Sequence, residues 1–378
     1  MKKKEGWVKK KLGEVCEVFV DGNWIESKDQ SDTGIRLIQT GNIGKGFFKN
    51  KSDNCKYISE ETFEKLQCTQ IYSGDILISR LPEPIGRGCI LPKLEGKMIT
   101  AVDCSIIRLK KELLSKYLIY YTLSDTYLNN VHKYVTGAVH KRISRKNLAS
   151  IPVYFPPLPE QQQIVAELDC LQGIIDKKKE QLQELDKLAQ SIFYTMFGDP
   201  MINDKRWEQL ALSHICKNLD SKRKPITAKD RIEGCYPYYG ASGIVDYVHS
   251  YIFEGDYLLV SEDGANLLIR NTPIAFPISG KNWVNNHAHV LKFDDSATQV
   301  FIEYFINSIN IESIVTGCAQ PKLTQKNLND ILVFDVPLPL QQEFADKISA
   351  IEQQKARITQ SLQDTETLFQ SRMDYYFG

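Results

Sequence analysis

The stretch TGAVHKRISRKNLASIPVYFPPLPEQQQI, residues 136–164, returns 180 residues later as TGCAQPKLTQKNLNDILVFDVPLPLQQEF, residues 316–344, and the two align without a gap. Thr136 and Gly137 fall on Thr316 and Gly317, Lys146, Asn147 and Leu148 on Lys326, Asn327 and Leu328, and Gln161 and Gln162 on Gln341 and Gln342. The offset holds as far as Phe197 and Gly198, which meet Phe377 and Gly378. Upstream the match needs gaps, yet Trp7, Leu12 and Cys16 echo Trp207, Leu212 and Cys216, and Gly74 and Asp75 echo Gly255 and Asp256. A repeat of this length decides the architecture before any local reading does. The chain is two half-repeats, each a globular part followed by a helix.

Each helix carries a seam. After Pro159, apolar or aliphatic-stemmed residues recur at alternating steps of four and three, at Ile164, Leu168, Leu171, Ile175, Lys178, Leu182 and Leu185. The second seam runs through Phe344, Ile348, Ile351, Lys355, Ile358 and Leu362, with more polar interruptions. This spacing predicts a coiled-coil pair. A helix of roughly 38 residues is about 57 Å long, and a connection of about nine residues, from Phe197 to Trp207, reaches at most roughly 30 Å. The second globular part therefore starts at the far end of the first helix and the second helix runs back. The expected fold is α+β: two mixed α/β domains separated by two long antiparallel α-helices, related by a pseudo-two-fold axis. Short runs rich in Ile, Val, Tyr and Phe between Gly, Asn, Asp and Pro clusters predict strands within the globular parts. KELLSKYLIYYTLSD and TQVFIEYFINSIN have helical spacing.

The 378 residues are 42% hydrophobic and 25% charged, an ordinary globular composition. No apolar run approaches a membrane span and no apolar signal core follows the first lysines, so a cytoplasmic protein is expected. Nine cysteines, Cys16 to Cys318, include no CxxC pair, which argues for free thiols rather than disulfides or a metal centre. The net charge is zero but unevenly spread. Residues 1–157 hold 26 basic and 17 acidic side chains, and residues 199–337 hold 13 and 17. The first part has the charge of a phosphate binder, and the second would need a local patch.

A globular part ending in TG, a lysine, an (I/L)(S/T)xKNL turn, a strand and then PLPxQQ opening a long helix resembles the specificity subunit of Type I restriction-modification systems. The pattern occurs twice. YYGASGIVDYV (238–248), FEGDYLLVSEDGAN (253–266) and NNHAHVLKF (285–293) are also similar to one class of that family's target-recognition domains, so the resemblance spans nearly the whole chain. It implies target-recognition domains at residues 1–157 and 199–337, and spacer helices at 158–198 and 338–378. Each domain would read one half of a bipartite site in double-stranded DNA. The helices would set the gap and dock two methyltransferase subunits, with restriction subunits joining them, for DNA methylation and host defence.

Candidate phosphate contacts are His140, Lys141, Arg142, Ser144, Arg145 and Lys146, with Gln320, Lys322, Thr324 and Lys326 as their counterparts; Ser144 and Thr324 are placed to cap a helical turn. Candidate base readers are side chains whose donors and acceptors suit base edges. In the first half these are Gln39, Asn42, Lys45, Arg80 and Arg87. In the second they are Tyr239, Ser242, Glu262, Asp263, Asn266, Arg270 and His287. No GxxxxGK(S/T) loop is present, and FPPLP around Pro156 lacks the leading Asn or Asp with which amino-methyltransferases hold a flipped base. No catalytic residue, metal or cofactor is expected. The rival readings are a coiled-coil adaptor that reads no DNA sequence, and a nuclease built on Glu262 and Asp263.

Overall fold

The computed structural model describes residues 6–137, 141–317 and 320–378. The chain divides into two units, Met1–Lys178 with Ser361–Gly378, and Lys179–Gln360.

In the first unit a four-stranded antiparallel sheet has the order Cys16–Asp21, Cys104–Leu109, Ile76–Ser79, Gly88–Ile90. A second sheet has the order Lys56–Ile58, Ile35–Ile38, Met98–Thr100, Gln70–Ile71, with its middle pair parallel. Val8–Lys11 pairs separately with Pro152–Phe155. The apolar run at Ile76–Ser79 follows from burial on both faces of the strand. Side chains alternate along a strand. Ile76 and Ile78 enter a core with Ile107, Tyr117 and Tyr121, while Leu77 enters another with Ile38, Cys89 and Ile106.

The second unit repeats this plan. Its sheets run Lys217–Asn218, Ala288–Lys292, Tyr257–Ser261, Ala275–Ile278, and Gly243–Val248, Glu233–Gly240, Lys281–Val284, Phe253–Glu254, again with a parallel middle pair. Gln209–Ala211 pairs with Leu332–Phe334. Strand for strand, the order is the same in both halves. Leu258 and Val260 face one core and Tyr257 and Leu259 the other. The two stretches with helical spacing coincide largely with the helices Ser115–Leu123 and Ser296–Ser308, the latter capped by the Asp295 carboxylate on the Ala297 amide at 2.7 Å.

Leu158–Phe197 and Leu338–Phe377 are each one helix of 40 residues. The PLPxQQ signature has a structural cause at its first glutamine. Gln161 is fully buried, its amide nitrogen donates to the carbonyls of Pro156 and Glu112 at 2.8 and 2.9 Å, and its oxygen accepts the Leu114 amide at 2.9 Å. Gln341 likewise donates to the Val336 carbonyl at 2.6 Å. In the first unit Ile164 and Leu168 share a core with Met373 and Phe377, and Arg372 pairs with Glu167. Lys178 donates to the Ser361 carbonyl, the Ser361 hydroxyl and the Thr365 hydroxyl at 2.8, 2.8 and 2.6 Å. In the second unit Leu185, Ala189 and Phe193 share a core with Phe344, Ile348 and Ile351, and Lys355 bridges Asp186 and Glu352 at 2.8 Å each. Leu171 and Ile175 are buried, and Leu182, Ile358 and Leu362 are half-buried. No helix among the described residues is long and apolar enough to cross a membrane. Burial pushes the thiols of Cys16, Cys89 and Cys104 up to about 12, which leaves them unreactive.

Candidate nucleic-acid interface

The described residues of the repeated segment take the same arrangement in both units. In the first, Thr136 and Arg142 exchange backbone hydrogen bonds of 2.9 Å in each direction. The chain enters through Gly137 at φ +105°, a conformation that disfavours a side chain. Ile143 is fully buried, and the Ser144 hydroxyl accepts the Asn147 amide at 3.1 Å to cap the helix Arg145–Ala149. Lys141, Arg142, Arg145 and Lys146 stand exposed around this turn. His140 lies outside the described residues. In the second unit Thr316 and Lys322 make the same ladder at 2.8 and 2.7 Å, and the Thr324 hydroxyl caps Asn327 at 3.2 Å. A side chain at Gly317, φ +88°, would also come within 2.5 Å of the Gln320 carbonyl oxygen. Gln320, Lys322 and Lys326 are exposed there, and Thr324 is half-buried. Pinning the apolar residue of each loop, Ile143 or Leu323, in a core holds the described basic side chains beside it at the surface. Such a surface suits the phosphates of a duplex.

The base-reading candidates separate into two groups. Arg80 is buried in the first unit next to the loop, its guanidinium donating to the carbonyls of Val102 at 2.7 Å and Ile143 at 3.3 Å. Asp21 lies 3.2 Å from its Nε, and Asp103 3.7 Å from Nη2; Arg142 and Arg145 approach the same two acids at 3.8 and 4.0 Å. In the second unit Glu262 takes Lys322 at 3.0 Å and Arg223 at 2.6 Å. Asp263 bridges the Lys322 backbone and holds the exposed His287 ring at 2.8 Å. Ser242 is exposed at the tip of the hairpin 233–248, whose neighbouring Ala241 carbonyl accepts the Ser261 hydroxyl at 2.5 Å. The half-buried Tyr239 leans on Phe276, ring centroids 6.3 Å apart.

The other candidates hold loops together. Asn42 is buried and spans its own turn, accepting the Gln39 amide and donating to the Lys49 carbonyl, both at 2.9 Å. Gln39 and Lys45 are exposed on either side of it. Arg87 donates to the carbonyls of Ile43, Pro82, Pro84 and Thr40 at 2.7, 2.6, 2.9 and 2.8 Å. Asn266 closes the turn to Thr272 with both ends of its amide. Arg270, at φ +56°, reaches the carbonyls of Leu267 and Ile309.

Three residues absent from the sequence reading organise the second unit. His289 is fully buried, with Nδ1 2.5 Å from Asp220 Oδ2 and Nε2 2.9 Å from the Leu323 carbonyl, and Arg223 sits on both Asp220 and Glu262. The signal was a histidine at an inward position of the apolar strand Ala288–Lys292, legible only with knowledge of which face is buried. Asp220, Glu262 and His289 have ligand atoms within 4.8 Å of one another, so the donor set could in principle hold a cation. Their geometry argues against it: Arg223 and Lys322 already neutralise the two carboxylates, and His289 Nε2 is turned away to Leu323. Burial opposes ionisation of Asp220, but the hydrogen bond and charge of His289, the Val290 amide and Arg223 together hold its carboxyl below its ordinary 3.8. Burial also opposes ionisation of Glu262, and hydrogen bonds from Arg223 and Lys322 outweigh it to hold that carboxyl below 4.5. Because both folded-state values are depressed, their contribution is complete above the unfolded-state values and is lost as pH falls through the lower folded ones. Thermal unfolding scanned between about pH 5 and pH 3 should show stability falling with acid. Asp220→Asn should lower stability at neutral pH and flatten that fall; an equally steep acid limb in the variant would refute the assignment.

Comparison with known proteins follows the same division. The family model described as the Type I restriction modification DNA specificity domain matches residues 4–187 and again residues 204–365. A Haemophilus influenzae protein bearing the name of a type I restriction enzyme specificity subunit is 31% identical over 155 residues, covering 41% of this chain and 40% of that one. The Methanocaldococcus jannaschii protein named as the MjaX specificity subunit is 22% identical across 92% of this chain and 87% of its own. The crystal structure of a Type I restriction-modification S subunit from M. genitalium shares the fold, with a TM-score of 0.60 at 14% identity over 99% of this chain and 97% of the other.

Proposed function

The chain belongs to the Type I restriction-modification DNA specificity family, and from that membership we propose that each of its two globular parts, residues 1–157 and 199–337, reads one half of a split site in double-stranded DNA. It is a recognition subunit and performs no covalent chemistry itself. One observation carries the two-part reading: the same strand order and the same basic, capped loop occur once in each unit, while the side chains around the loops differ. Two similar scaffolds with different surfaces suit two different half-sites. Phosphate contact falls to Lys141, Arg142, Ser144, Arg145 and Lys146, and to Gln320, Lys322, Thr324 and Lys326. Base reading falls to exposed groups near them, Ser242 and His287 foremost.

The helices Leu158–Phe197 and Leu338–Phe377 pair antiparallel as a coiled coil, set the non-specific gap between half-sites, and dock two methyltransferase subunits, with restriction subunits added to that core. Contacts within each unit support the antiparallel reading, since partner numbers fall on one helix as they rise on the other: Glu167 with Arg372 and Lys178 with Ser361, then Asp186 with Lys355. Work on chromosomal DNA puts the chain in the cytoplasm.

Base-resolved methylation mapping tests the function. Cells expressing the chain with its methyltransferase should carry a split methylated motif that is missing from cells expressing the methyltransferase alone. Identical methylation in the two, with the complex shown to form, would overturn the specificity role.

A further inference from the structure

We infer that Arg80 and His289 are the positioning residues of the two basic loops, each holding in place the carbonyl just before the loop's capping residue. The inference rests on the reading of those loops as contacts to the DNA backbone. The backbone around them is the same in both units. Ile143 N donates to the Arg80 carbonyl at 3.2 Å, as Leu323 N donates to the Glu262 carbonyl at 2.8 Å. Arg80 N donates to the Asp103 carbonyl at 2.9 Å, as Glu262 N donates to the His287 carbonyl at 2.9 Å. An aspartate closes each arrangement, Asp21 in one unit and Asp220 in the other.

On this common backbone the donor that fixes the loop has changed strands. In the first unit it stands at the end of Ile76–Ser79, where Arg80 reaches the Ile143 carbonyl, and the facing strand contributes Ser105, whose hydroxyl donates to Asp21 at 2.9 Å. In the second the corresponding strand end carries Glu262, and the facing strand supplies His289 in the place of Ser105. His289 Nε2 carries a proton, because the Leu323 carbonyl it faces can only accept one. The carbonyls of Ile143 and Leu323 immediately precede Ser144 and Thr324. Fixing them sets the direction in which the capped turn and its basic side chains leave the core. Without the donor a buried carbonyl is left unpaired, and the loop must shift to satisfy it.

The side-chain nitrogen of glutamine occupies about the place of imidazole Nε2, and that of asparagine about the place of Nδ1. His289→Gln therefore keeps the bond to Leu323, whereas His289→Asn keeps only the bond to Asp220. The full chain in complex with its methyltransferase would be titrated with a duplex carrying the mapped motif, over a range of salt concentrations. His289→Gln should bind like the parent. His289→Asn should lose about tenfold in affinity, with a salt dependence shallower by about one ion per displaced phosphate contact. Arg80→Met should show the same loss through the first loop. Like behaviour of the Gln and Asn variants, or an unchanged salt slope in Arg80→Met, overturns the positioning role. Failure of the underlying reading looks different: Arg142→Gln and Lys322→Gln would then leave the salt slope unchanged.

Discussion

Replacing Arg87 with methionine should destabilise the first unit by about 4 kcal/mol, because four backbone acceptors, that of Ile43 buried and the other three partly so, lose a charged donor at once. Arg87 is 9% exposed, and its guanidinium ties Thr40 and Ile43, on one loop, to Pro82 and Pro84 on another. Two of those carbonyls belong to prolines, which have no amide hydrogen through which to rejoin a backbone ladder. Burial lowers the affinity of the guanidinium for its proton, yet an arginine stays charged under any working condition. The methionine stem would fill part of the space and satisfy none of the acceptors. Thermal unfolding should register a drop of roughly 10 °C for a unit of this size. A variant with parental melting but weakened DNA binding would instead make Arg87 a base reader and sink the structural assignment.

Phe344→Ala should cost the second unit about 3–5 kcal/mol, the range for removing a fully buried aromatic ring without local collapse. The ring is 0% exposed and packs edge-on against Phe193, Phe197 and Tyr304, with centroids 5.7, 5.2 and 5.2 Å away. Those partners come from two other helices, so the cavity would open where three elements meet and none can close it alone. The same truncation at half-buried Leu362 should cost under about 2 kcal/mol, since less apolar surface leaves contact with protein. Denaturant unfolding of both variants measures the difference, and equal losses would contradict the packing described.

Much of this architecture is legible from residues alone. The gap-free repeat at 136–164 and 316–344 reports two copies of one plan, and the strand orders of the two units agree pair by pair. The long helices are legible because a steady spacing of three and four residues persists over many turns, a local signal that noise rarely imitates. Side-chain roles are less accessible. Arg80 and Arg87 sit in SRLPEPIGRG, a polar and proline-rich stretch that reads as an exposed loop, yet both fold inward onto carbonyls up to 63 residues away. Asp220 and His289 meet across 69 residues. No local pattern announces such a pairing, because it depends on which strands become neighbours.

The placement of charge along the chain has a consequence for inheritance. In the first unit the ionised groups around the loop, Asp21, Arg80, Asp103, Arg142 and Arg145, all precede Lys146. In the second, Asp220, Arg223, Glu262 and Lys322, with the imidazole of His289 that bonds Asp220, all precede Lys326. The shared Lys-Asn-Leu that follows is therefore a point at which two genes of this kind could recombine and pass on each buried charge together with its partner. A crossover there would deliver a new recognition surface whose electrostatics arrive already balanced.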